Sequence, residues 1–90
     1  MTDEDKTQLA ISRGARAKAL LGDDLLTEAF TTLEAEYLKA WRATGVKQME
    51  ERERFWQAIQ LLGLVRDHLG FVVGDGKIAQ AELDRLKGMK

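Results

Sequence analysis

Residues 54–73 read RFWQAIQLLGLVRDHLGFVV, and this stretch decides the fold. Phe55, Ala58, Leu62, Val65, Leu69 and Val72 follow one another by alternating steps of three and four. That spacing lays them in one narrow stripe along a helix. Ile59, Leu61, Leu64 and Val73 widen the apolar surface on either side. Glu50, Glu51 and Glu53 precede the stripe, as the positive end of a helix dipole favours. A helix is therefore predicted over 47–73, roughly 40 Å long at 1.5 Å per residue.

Upstream, Thr44-Gly45-Val46 predicts a turn, because glycine suits the position after a helix end. Before it, Leu26, Phe30, Leu33, Tyr37, Ala40 and Thr44 repeat the four-and-three rhythm and predict a helix over 24–43. Gly22 is expected to end the preceding helix in a left-handed turn, and Asp23 or Asp24 to cap the next. The short turn after residue 43 makes the two long helices antiparallel neighbours. Counting from it pairs Trp41 with Met49, Leu33 with Phe55 to Ala58, Phe30 with Ile59 and Leu62, and Leu26 with Val65. Leu69, Val72 and Val73 extend past that partner. Their cover is Leu20 and Leu21 of a first helix, a final helix, or a second copy of the chain.

The flanks complete an all-α reading. Alanine and leucine predict a helix over 6–21, marginal unless packed, because Gly14 costs about 1 kcal/mol in a helix interior. The acidic residues 1–5 are expected to be disordered. Gly74-Asp75-Gly76 is expected to end the third helix, and Ala79, Leu83 and Leu86 predict a short one over 77–87. The expected architecture is one domain, 1–90: an antiparallel hairpin of two long helices flanked by a short N-terminal and a short C-terminal helix, and oligomeric.

Composition excludes several classes. The chain is 44% hydrophobic and 32% charged, without proline, which fits amphipathic helices rather than sheets or disordered tails. The absence of cysteine rules out disulfides, thiolate metal sites and a cysteine nucleophile. A net charge of −1 is not that of a protein living mainly on phosphate contacts. No apolar run approaches the roughly 20 residues of a membrane span, and the acidic N-terminus is unlike a secretory signal. A cytoplasmic location is expected.

Few residues invite a chemical reading. Asp75-Gly76-Lys77-Ile78 with Glu82 matches the second half of a calcium-binding EF-hand loop. The leading carboxylate positions, however, fall on Phe71 and Val73, so a helix corner capped by Asp75 is the expected structure. No catalytic grouping, phosphate loop or metal-ligand spacing is visible, so neither an enzyme nor a bound cofactor is expected. His68, the only histidine, reads as a helix-surface or partner-facing residue.

Two features point to partners. Between residues 6 and 21 the only charges are Lys6, Arg13, Arg16 and Lys18, all positive. For one copy a solvated helix face is the simpler reading. Repeated around an oligomer, the patch gains avidity for the DNA backbone. Trp41 and Trp56, with Leu69 and Val72, are more aromatic and aliphatic surface than a hairpin covers from both sides, which predicts an interface. Gly63 and Gly70 share a helical face with Trp56 and allow another helix to approach.

The phrases Tyr37-Leu38-Lys39-Ala40-Trp41-Arg42-Ala43-Thr44, Arg52-Glu53-Arg54-Phe55-Trp56 and Val65-Arg66-Asp67-His68-Leu69 resemble those of small helical proteins from bacteriophage and prophage genomes. Such proteins are similar in shape to the oligomerising hairpin of small terminase subunits, including those of gene-transfer agents. The resemblance implies a self-associating, ring-forming protein in a bacterial host, holding double-stranded DNA and regulating a large terminase motor. It departs from the fuller pattern in having no separate helix-turn-helix DNA-binding domain. The other expected reading is a helical adaptor that binds a protein partner through Trp56, Gly63 and Gly70 without nucleic acid.

Overall fold

The computed structural model describes residues 2–88. Its elements are helices: α1, Asp3–Leu21; α2, Asp24–Ala43; and α3, Met49–Lys87. They group into two compact units. One joins α1 with α3 from His68 onward; the other spans Asp23–Asp67.

In the first unit, α1 begins earlier than the sequence suggested. Residues 3–5 are helical rather than disordered; Met1 lies outside the described residues. The reason is a capping box. The Asp5 amide donates to Thr2 Oγ1 at 3.1 Å, and the Thr2 amide donates to the Asp5 carboxylate at 3.3 Å. Asp3, Glu4 and Asp5 in the first turn also suit the dipole. At its other end, Gly22 has φ −91°, so the expected left-handed turn does not form.

The larger correction concerns the C-terminal helix. The expected break at Gly74-Asp75-Gly76 and the separate helix over 77–87 are absent, because α3 continues unbroken through Lys87. The half EF-hand therefore has no loop. Packing overrides the local cost of glycine here. Gly76 sits against Gly14 of α1 so closely that a Cβ on either would lie 2.8 Å from the other's Cα. Ala10, Gly14 and Ala17 fall on the same side of α1, and small side chains there let the two backbones meet. Gly14, Ala17 and Gly76 are the buried residues among those described.

In the second unit, α2 packs against the first half of α3. Asp23 caps α2, its carboxylate accepting from the Leu26 amide at 2.8 Å. Tyr37 meets Phe55 with ring centroids 6.5 Å apart. The Arg66 guanidinium lies 4.9 Å from the Phe30 ring centroid and 3.4 Å from Glu34. The turn is longer than counted, since α3 starts at Met49.

Glu82 and Arg85, three residues apart on α3, form an ion pair. Hydrogen bonding and the positive charge of Arg85 hold the Glu82 carboxyl below its ordinary range. A depressed carboxyl favours the folded helix above its unfolded titration range, and the benefit disappears as acid protonates it. In Arg85→Ala, Glu82 should titrate upward toward the ordinary carboxylate range, read by carbon NMR of its carboxyl.

Candidate interaction surfaces

Several side-chain hydrogen bonds converge on the turn between α2 and α3. Thr44 closes α2, donating its hydroxyl to the Trp41 carbonyl at 2.6 Å. Gln48 folds back to accept from the Gly45 amide at 2.6 Å. Arg52, in the first turns of α3, then binds the end of α2. Its Nη1 donates to Thr44 Oγ1 at 2.9 Å, to the Thr44 carbonyl at 3.2 Å and to the Trp41 carbonyl at 3.4 Å. The guanidinium also lies 4.5 Å from the Trp41 ring centroid. A cation on the last carbonyls of a helix is the favourable polarity.

Trp41 and Trp56, both expected at an interface, line an open groove beside this knot with Val46, Met49, Arg52 and Glu53. Val46 is 90% exposed and Met49 75%. Arg52 went unrecognised in the sequence, although a basic residue just after a short turn stands where the preceding helix ends.

In the first unit, the four basic residues do not form one patch. Arg13 and Arg16 share the rim of a shallow groove with His68, over Ala17, Leu20, Leu69 and Val72. Leu69 and Val72 are half-buried there, so α1 supplies part of their cover. Lys6 lies instead among Asp75 and Glu82, whose charges oppose its own. Lys18 sits near Lys77 on the opposite flank of α1. His68 joins Arg13 and Arg16 only through tertiary packing, which no local spacing announces.

The glycines also divide. A Cβ at Gly63 or Gly70 would meet nothing within 4 Å, so neither receives a helix from its own chain. The close approach uses Gly14 and Gly76. Among the described residues, no cluster of His, Asp or Glu could hold a metal ion, and no helix is long and apolar enough to cross a membrane. No protein-family model matches the chain, and neither a curated protein nor a solved structure is significantly similar to it.

Proposed function

We propose that this protein is a non-enzymatic, self-associating helical protein of the phage type, acting as a DNA-packaging component in the manner of a small terminase subunit. One observation carries the self-association. Among the described residues, Ala17 is the one buried hydrophobic side chain. Large apolar side chains stay in water instead: Val46, Met49, Leu61, Leu64 and Phe71 are each at least 60% exposed. Apolar surface of this extent marks a site of association.

Arg13 and Arg16 support the nucleic-acid part of the reading, with His68 beside them on one rim. Repetition around a homo-oligomer would multiply a weak phosphate contact. Light scattering after size exclusion, at two salt concentrations, should give a defined species of several chains. That species should bind duplex DNA with an affinity that falls as salt rises, and Arg13→Ala/Arg16→Ala should remove most of this binding. A clean monomer would end the packaging reading, and DNA binding indifferent to the double substitution would end the role of these arginines.

The adaptor reading has its own support in the groove of Trp41, Val46, Met49 and Trp56, which is open and apolar. It predicts protein capture without any DNA binding.

A further inference from the structure

We infer that a second copy docks on the side of the α2–α3 hairpin facing away from Trp41 and Arg52, the two hairpins closing a four-helix bundle. This rests on the self-association reading and assigns it a surface.

The hairpin has two unlike sides. One carries the internal polar contacts: Arg52 on Trp41, and Arg66 with Glu34. Helical spacing places Ala29, Leu33 and Glu36 of α2, with Arg54, Leu61 and Val65 of α3, on the other. There Leu33, Leu61 and Val65 are 40%, 60% and 50% exposed. Glu36 and Arg54 mark one end of this aliphatic strip, and neither enters an ion pair among the described residues.

Charge selects how two such strips meet. A twofold axis parallel to the helices sets α2 of the second copy antiparallel over α3 of the first, so every neighbouring pair in the bundle is antiparallel. The Tyr37–Phe55 contact and the Arg52–Trp41 bonds fix which residues stand level across the hairpin. At that level Leu33 of one copy faces Leu61 of the other and Ala29 faces Val65, while Arg54 stands about 6 Å along the axis from the level of Glu36, a span its long side chain bridges. Symmetry makes each contact twice. A twofold at right angles stacks α2 on α2 and leaves Glu36 and Arg54 apart. A standard interface buries about 800 Å² per partner.

The test is solution mass over a concentration series, with circular dichroism to check folding. Leu61 is exposed in the single chain, so Leu61→Arg should keep its helices while weakening association by about 100-fold or more. Arg54→Glu should weaken it about 10-fold, and adding Glu36→Arg should restore it. Gly70→Leu should leave association unchanged. A wild-type chain that stays single at every concentration overturns self-association itself. An assembly indifferent to Leu61→Arg overturns only this surface, and a charge swap without recovery overturns the twofold arrangement.

Discussion

Gly76→Val should destabilise the packing of α1 on α3 by about 3 kcal/mol, while Gly74→Ala, two residues away, should stabilise the helix by nearly 1 kcal/mol. The opposite signs come from what each new side chain meets. At Gly76 a Cβ lies 2.8 Å from Gly14 Cα and 3.0 Å from the Ala10 carbonyl oxygen. Both are backbone atoms of α1, and no rotamer change clears them, so the helices must part. A β-branched residue adds a second carbon in the same gap. Once α1 moves off, Ala17 loses its burial. At Gly74 a Cβ meets nothing within 4 Å, so alanine only removes the backbone-entropy cost of a helical glycine. Urea unfolding at one protein concentration measures both changes, and hydrogen exchange should localise the Gly76→Val loss to α1. Equal effects of one sign would refute the crossing.

The second large effect belongs to Arg52. Arg52→Ala should cost about 2–3 kcal/mol, because it strips three hydrogen bonds from a partly buried charged group. It also removes the cation from the Trp41 ring. The carbonyls of Trp41 and Thr44 would then close α2 without that donor. Arg52→Lys should recover less than half, since an ammonium has no planar face to lay on the indole while it reaches those oxygens. In a Trp56→Phe background, fluorescence reports Trp41 alone, and its emission should shift to the red in Arg52→Ala. Unchanged emission and stability would mean that the turn does not depend on this residue.

Much of α2 and α3 was legible because the rules of a helix are local. The four-and-three rhythm of Leu26 to Thr44 and of Phe55 to Val72 marks two long helices whatever surrounds them. Asp23 acts as the cap its side chain suits. The rest was illegible where a distant residue overrules a local preference. Gly-Asp-Gly reads as a break because glycine is costly within a helix, yet Gly76 is helical because Gly14 occupies the space its side chain would need. The basic segment on α1 reads as one patch along the sequence. Packing against α3 divides it, leaving Lys6 beside carboxylates and Lys18 on the other flank. Only Arg13 and Arg16 remain together, with a histidine from α3 that sequence distance conceals.

The Gly14–Gly76 crossing also bears on how the chain is made. Arg66 meets Glu34 across 32 positions, and Arg52 reaches Trp41 across 11, so the hairpin closes on contacts of short range. Gly14 and Gly76 stand 62 positions apart, and closing so long a loop costs more chain entropy. Synthesis runs from the N-terminus, so α1 leaves the ribosome before α2 and α3 and receives its partner last of the three. In that interval it is a single marginal helix. The earliest translated of these helices is thus the one whose structure waits for the far half of α3.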